Sequence, residues 1–320
     1  MRRNMGFLLI GAGVLALLYY FNPVGVFSWN GLSFKTQDIH LEKTAEAASL
    51  QNITVETGSA DTRIVKGEGD QVNVRLDGSV SKNQAEKFQL KVDAKGDTLS
   101  VGIEEPNEIG VGVTIINVEL VVELPEKNWK SVRVQSGSGN IDLESLKGDS
   151  VETKAGSGDT SFREIKSTKL VANAGSGNIY VADVQGDAVT LKADSGDIRA
   201  EQYAANDLKF EGHSGNVELK QGKASLQGET HSGDIRVEAG ELLRDADLKS
   251  GSGSVKIELT EEPKSLAVDF EGGSGNGSVD WEAFSYEEKN DKKDRLKGKF
   301  GSGEVKLKVR TGSGDFQLVK

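Results

Sequence analysis

Ser138-Gly139-Asn140 opens a series that runs through Ser157-Gly158-Asp159, Ser176-Gly177-Asn178, Ser195-Gly196-Asp197, Ser214-Gly215-Asn216 and Ser232-Gly233-Asp234 to Ser252-Gly253. Successive serines are 19, 19, 19, 19, 18 and 20 residues apart. A glycine-rich linker keeps no such count. A nearly fixed period of this size marks a repeat architecture, in which each repeat is one unit that buries its apolar face against the next. Each copy is expected to be a tight corner, with the glycine supplying a positive φ and Asn or Asp tolerating the strained geometry beside it.

The residues around the corners fall into columns. Before the turn, one inward column reads Val132, Val151, Leu170, Val189, Leu208, Leu226, and the next reads Val134, Thr153, Ala172, Leu191, Phe210, Gly228. Nearest the turn, Ser136, Ala155, Ala174, Ala193, Gly212 and Thr230 are all small, as a narrowing corner requires. After it come Ile141, Thr160, Ile179, Ile198, Val217, Ile235 and then, two residues on, Leu143, Phe162, Val181, Ala200, Leu219, Val237. Leu146, Ile165, Val184 and Tyr203 mark a second corner. Each repeat therefore supplies two short strands with period-two apolar faces, stacked in parallel on the same strands of its neighbour. The fold class is all-β, a β-solenoid of ~19-residue rungs. An antiparallel sandwich would share the alternation but gives no reason for a fixed step.

Outward columns alternate in sign: Arg199, Glu218, Arg236 in one and Glu201, Lys220, Glu238 in another. Stacked strands lie ~4.8 Å apart, so this order sets opposite charges side by side. The turn column alternates Asn140, Asp159, Asn178, Asp197, Asn216, Asp234, which keeps carboxylates two rungs apart with an amide between each pair able to bond both neighbours.

The flanks differ in kind. Residues 1–4 carry Arg2 and Arg3, and an apolar run from Met5 to Phe21 follows, with no charge until Lys35. A membrane anchor is expected over 5–29, with Tyr19, Tyr20 and Trp29 at the outer interface and the N-terminus in the cytoplasm. A cleaved secretory signal is the competing reading, though no Ala-x-Ala-like site follows the run. Residues 30–49 read as a spacer without a convincing strand pattern. Residues 50–130 read as a β-rich N-terminal cap, with alternating runs at Ile53–Val55, Thr62–Val65, Val72–Leu76, Phe88–Val92, Thr98–Ile103 and Val118–Leu124. Thr57-Gly58-Ser59-Ala60-Asp61 resembles a degenerate copy of the later turn. The solenoid is expected over 131–320, with Val305–Val309 as a last pre-turn strand, Ser313-Gly314-Asp315 as its turn, and 287–299 as a charged, solvated loop.

The strand-rich start, Val122-Glu123-Leu124-Pro125, the serial Ser-Gly-Asn/Asp turns and the closing Thr311-Gly312-Ser313-Gly314-Asp315 resemble a bacterial β-strand-repeat family of unknown function and adhesin-like fold. With its N-terminal apolar segment the chain is similar to a membrane-anchored member encoded with a cell-envelope stress regulon in Gram-positive bacteria. The resemblance implies an extracytoplasmic body at the cell membrane and an envelope-stress setting. It carries over no catalytic residue.

Chemistry is sparse. A net charge of -11 argues against nucleic acid, and the absence of cysteine excludes disulfides, thiolate metal sites and acylation at cysteine. The Ser-Gly turns lack the helix N-terminus that a phosphate loop needs. Calcium along Asp159, Asp197 and Asp234 would have too few oxygen ligands. Asp194, His213 and His231 occupy equivalent positions just before their turns and form a candidate column for weak zinc binding or sensitivity to mild acid. The competing reading of that column is three exposed polar residues at a turn. His231-Ser232-Gly233-Asp234 is no triad, because its members must converge from separate segments. No cofactor is expected. The reading is a non-catalytic, membrane-anchored binding or accessory protein of the envelope stress response, partnered by an envelope component or membrane protein. The alternatives are a surface adhesin or scaffold and, further off, a glycan-active β-helix enzyme, which would need converging carboxylates.

Overall fold

The structure is a computed structural model that describes residues 36–82, 84–104 and 116–320. The segment 5–29, expected as an anchor, lies outside them, as do residues 1–4. Among the described residues no helix is long and apolar enough to cross a membrane.

The repeats form two facing sheets. Going up the chain, one sheet receives β8 (Asn128–Ser136), β10 (Lys147–Ala155), β12 (Lys166–Ala174), β14 (Gln185–Ala193), β16 (Ala204–Gly212), β18 (Lys223–Thr230) and β20 (Ala246–Ser250). The other receives β9 (Ile141–Glu144), β11 (Thr160–Arg163), β13 (Ile179–Ala182), β15 (Ile198–Glu201), β17 (Val217–Lys220), β19 (Ile235–Ala239) and β21 (Val255–Leu259). Every neighbouring pair is parallel, and the register is the one the columns require: Val151 opposite Val132 and Leu170, Thr160 opposite Ile141 and Ile179. The 18-residue step is absorbed as a register shift between Ala204 and Asp207. All the inward columns are buried, and they form one continuous apolar core between the sheets.

The second corner has its own rule. Ser145, Glu164, Asp183, Gln202 and Gln221 all take φ between 50° and 56°. None is glycine, so each pays a left-handed penalty to aim the next residue (Leu146, Ile165, Val184 and Tyr203 in the first four) into the core.

Both ends depart from sequence order. β2 (Asn52–Thr57) and β3 (Asp61–Lys66) already form a rung, stacked under β8 and β9. The chain then passes to the end of the stack as β4 (Gln71–Ser81) and β5 (Gln89–Lys95), which run antiparallel, and returns as β6 (Thr98–Glu104) and β7 (Ile116–Leu124) to fill the gap. The expected cap over 50–130 is thus part rung and part closure. At the far end β22 (Leu266–Gly272) and β23 (Gly277–Val279) leave one rung vacant, and β26 (Val305–Thr311) with β27 (Phe316–Val319) inserts between them and β20 and β21. Val305–Val309 is therefore a pre-turn strand as expected, although its place in the stack is out of sequence order.

Two expectations fail. Much of the supposed spacer 30–49 is β1 (Thr36–Glu46), paired antiparallel with β4 over its whole length. Its alternation is faint because only Ile39, Leu41 and Ala45 face the core, and these are only half-buried. The supposed loop 287–299 is mostly an antiparallel hairpin, β24 (Ser285–Lys289) and β25 (Arg295–Phe300), which closes one sheet. Leu296 and Phe300 are buried within it, and its charges, such as Lys299 with Glu287 at 2.8 Å, lie on the solvent side.

Core volume is balanced between rungs rather than within them. A Cβ on Gly228 would lie 2.0 Å from Cζ of Phe210 on the rung below, and one on Gly222 would lie 1.9 Å from Cζ of Tyr203. Burial also pushes the Tyr203 phenol well above its usual range. Gly228→Val should therefore cost ~1–3 kcal/mol by overpacking. Paired with Phe210→Leu it should recover much of that loss. Urea unfolding of the two single variants and the double variant measures the coupling, and strictly additive effects would refute the reciprocal packing.

Candidate functional site

The Ser-Gly-Asn/Asp turns stack into one edge of the molecule. Their glycines do not carry a positive φ, so the expectation of a left-handed corner is wrong. The reason for glycine is proximity. A Cβ on Gly158 would sit 2.1 Å from the carbonyl oxygen of Gly139, and those on Gly177, Gly196 and Gly215 would sit 1.9 Å from the same atom one rung back. Gly139 meets Ala60 and Gly233 meets Gly215 in the same way, so Thr57–Asp61 does begin the series.

The polar turn residues form a ladder, with bonding different from that expected. The side-chain Oδ1 of each accepts the backbone N–H of its successor: Asn140 from Asp159 at 2.9 Å, Asp159 from Asn178 at 2.7 Å, Asn178 from Asp197 at 2.9 Å. Asp197 and Asn216 continue it at 2.8 and 3.0 Å, Asp234 accepts from Ser254 at 2.7 Å, and the series runs on through Ser254 Oγ, which accepts from Asp315, to Asp315, which accepts from Asn276 at 2.8 Å. The position needs an oxygen, which Asn and Asp both offer. An amide donating to a neighbouring carboxylate is seen for Asn178 and Asp159, at 3.1 Å.

Asp194, His213 and His231 do share a column, at a position filled by Gly137, Gly156 and Gly175 in earlier rungs. The two imidazoles stack face to face, 4.6 Å between centroids and 3° from parallel, with Asp194 Oδ1 3.8 Å from His213 Nδ1. Nitrogen lone pairs lie in the ring planes, so parallel rings do not aim them at a common ion. Among the described residues no group of three or more His, Asp or Glu is placed to hold a metal.

The sheet faces are the remaining surface. On one, Arg199 Nε donates to Glu218 at 2.8 Å, Lys220 lies 2.6 Å from Glu218, and Arg236 reaches Glu238 at 2.7 Å and Glu258 at 3.2 Å. The hydrogen bond from Lys220, and then that from Arg199, hold the Glu218 carboxyl below its usual range. A shallow depression of about 240 Å³ lies here, bordered by Asp197, Arg199, Glu218 and Arg236. The opposite face has one of about 280 Å³, bordered by Lys192, Lys209, Glu211, Glu229, Asp247 and Lys249, where Lys192 pairs with Glu211. Near the first rung Glu126 bridges Lys66 and Lys147 at 2.5 and 2.6 Å, which holds its carboxyl down at about 2. In each depression one carboxylate, Glu218 in the first and Glu211 in the second, stands beside a cation.

Two parallel sheets with apolar columns inside, a stacked-turn edge and paired charges outside define a capped two-sheet β-solenoid. The sequence matches the Toastrack DUF4097 family over residues 50–319, and the chain belongs to it. No curated protein is significantly similar to it in sequence. Among solved structures, a "putative lipid binding protein" from Parabacteroides distasonis is 18% identical, with a TM-score of 0.51 and 88% of this chain and 97% of that one covered. A "putative adhesin" from the same species is 13% identical, with a TM-score of 0.51 and the same coverage. At these identities they show a shared fold.

The turn geometry makes a sharp contrast. Gly196→Val should destabilise by at least ~2 kcal/mol, since backbone must move to admit the side chain. Asp197→Asn should stay within ~0.5 kcal/mol, and Asp197→Leu should cost ~1 kcal/mol by orphaning the Asn216 N–H. Thermal melts of the three decide it, and a native melting temperature for Gly196→Val would refute the close-contact role.

Proposed function

We propose that this chain is a non-catalytic, membrane-anchored binding or accessory protein acting outside the cytoplasm in the cell-envelope stress response. The observation that carries the non-catalytic part is the pairing of charges along both sheet faces. Carboxylates engaged by Lys or Arg on a flat wall are poor general acids and bases, which need a cleft and separated pKa values. A rigid stacked wall is instead suited to contact over an extended area, as in other solenoids.

The anchor rests on sequence: Arg2 and Arg3 before the apolar run Met5–Phe21, with a β-rich body after it. The envelope-stress setting rests on resemblance to LiaG, a membrane-anchored protein encoded with such a regulon. The names of the two similar structures, adhesin and lipid-binding protein, favour a binding class and keep the surface adhesin as the second reading.

Protease treatment of intact cells followed by cross-linking and affinity recovery from membranes tests this. The body should be digested from outside, and the untreated full chain should recover one reproducible envelope component or membrane protein. A body protected in intact cells overturns the topology. Hydrolysis of envelope glycan by the purified full chain overturns the non-catalytic reading.

A further inference from the structure

One turn column breaks its own rule at successive rungs, and every residue that breaks it can carry a charge. Before the break the position is Gly137, Gly156 and Gly175, and after it Gly251, Gly312 and Gly273. A Cβ on any of these would lie 2.2–2.7 Å from a carbonyl oxygen of the adjacent rung. Asp194, His213 and His231 each carry a Cβ there, and the corner gives way to admit them. The backbone bonds from His213 to Ala193 and from Ser214 to Asp194 both lengthen to 3.2 Å, against 3.0 and 2.9 Å for those from Gly175 and Ser176. Polar, exposed side chains gain nothing in packing from such a place. A local rule broken without a packing gain marks a functional position.

The two imidazoles lie face to face at 4.6 Å, and His213 Nδ1 is 3.8 Å from Asp194 Oδ1. Charged groups reach the pair from each neighbouring element. Glu211 in β16 and Glu229 in β18 lie two residues before the rings. Lys192 in β14 bonds Glu211, and Lys249 in β20 stands opposite Glu229. The Glu211 carboxyl is held below its usual range chiefly by the hydrogen bond from Lys192, with a smaller part from the charge of the two imidazoles when protonated. After the turns, Asp197 and Asp234 each commit an oxygen to the backbone ladder. Beyond His231 the column returns to Gly251, which brings no side chain.

We propose that Asp194, His213 and His231 form a proton-operated element of the turn edge, which stays stacked with one proton and parts when it takes a second. Histidine is the side chain that changes charge between neutral and mildly acid solution. The first proton goes to His213, whose Nδ1 faces the Asp194 carboxylate, and an imidazolium resting on a neutral ring is still attracted to its face. The second proton, on His231, sets like charges one above the other at 4.6 Å. Glu211 offsets that repulsion only weakly, because Lys192 already engages it. His213 is enclosed between Asp194 and His231, whereas His231 has the empty position over Gly251 into which to turn. Acid therefore moves His231 and uncovers the face of His213, while the backbone ladder of the turns stays in place.

The full chain in detergent, with its three histidines isotopically labelled, tests this by NMR of the ring protons between about pH 8 and pH 5. In the wild type His213 should titrate before His231. The mutual ring-current shift of the stack should survive the first proton and vanish with the second. Glycine is the residue of this column in other rungs, so His213→Gly keeps the corner, and it should let His231 titrate at lower acidity than in the wild type. Asp194→Asn should delay His213 to higher acidity. His40, which sits beside Asp77 on β1, should titrate alike in every variant and serves as the reference. Identical titration of His231 with and without His213 overturns the proposal, as does a ring-current shift that persists at full protonation or a His231 that titrates first. If His213→Gly does not fold, the ring signals of the wild type decide alone.

Discussion

The close approach of one turn to the next governs this structure. With Gly196 and its equivalents, the backbone of each corner rests where a Cβ would overlap the carbonyl oxygen one rung back at 1.9 Å. That contact sets the spacing at which the strands on either side hydrogen-bond. It also lets the ladder run around the corner: Ser157 donates to Gly137 at 3.1 Å and Ile141 donates to Asp159 at 2.8 Å. The Asn/Asp oxygens then take the N–H groups that the bend would orphan. A wider corner would lose these bonds together, so glycine and side-chain oxygen are one device with two parts.

A stack held in this way solves its interior and leaves its ends as a problem. Each terminal rung presents an apolar layer and open edges. The chain closes both ends by the same route, overshooting by a rung, turning back antiparallel, and filling the gap on its return. β6 and β7 do this at one end and β26 and β27 at the other. The closing rung is thereby clamped on both sides, which a terminal rung in sequence order would not be. Phe270 and Phe316 stack at 5.2 Å, and Trp281 meets Phe300 edge-on at 6.4 Å, so the far cap has an aromatic core of its own.

What the sequence made legible follows from repetition. Where one rule acts on many rungs, as in Val132 to Leu226 or Asn140 to Asp234, the columns show register, inward faces and both corners without coordinates. The sense of the glycine was misread because composition cannot distinguish a left-handed φ from a close contact. Both exclude a Cβ, and the second depends on a neighbour 19 residues away. β1 and the β24–β25 hairpin were missed because each is a single instance on a half-solvated surface, where a charged strand and a charged loop have similar compositions. The swapped end rungs leave no local trace, since parallel rungs accept any order of insertion. The column Asp194, His213, His231 was correctly aligned, but sequence gives alignment and not ring orientation, which sets where the nitrogen lone pairs point.

The same repetition that makes the fold legible creates a hazard, namely a slip by one whole rung. Backbone bonds and most inward residues would survive it, so something else must oppose it. Exposed ion pairs contribute only ~0–1 kcal/mol each to stability, too little to explain their regularity by strength. Their order does more. If the rung of β17 were skipped, Arg199 would meet Arg236, Glu201 would meet Glu238 and Asp197 would meet Asp234, three like-charge contacts at once. Phe210 would lose Gly228, the only residue of its column small enough to lie beneath the ring. Over these rungs the alternating charge and the large-over-small packing both change sign under a one-rung shift, which backbone hydrogen bonding cannot do; one rung further on, Arg236 faces Lys256 and Glu238 faces Glu258, and the alternation ends. From β15 to β19 the wall therefore keeps the rungs in order, with its charges engaged with one another.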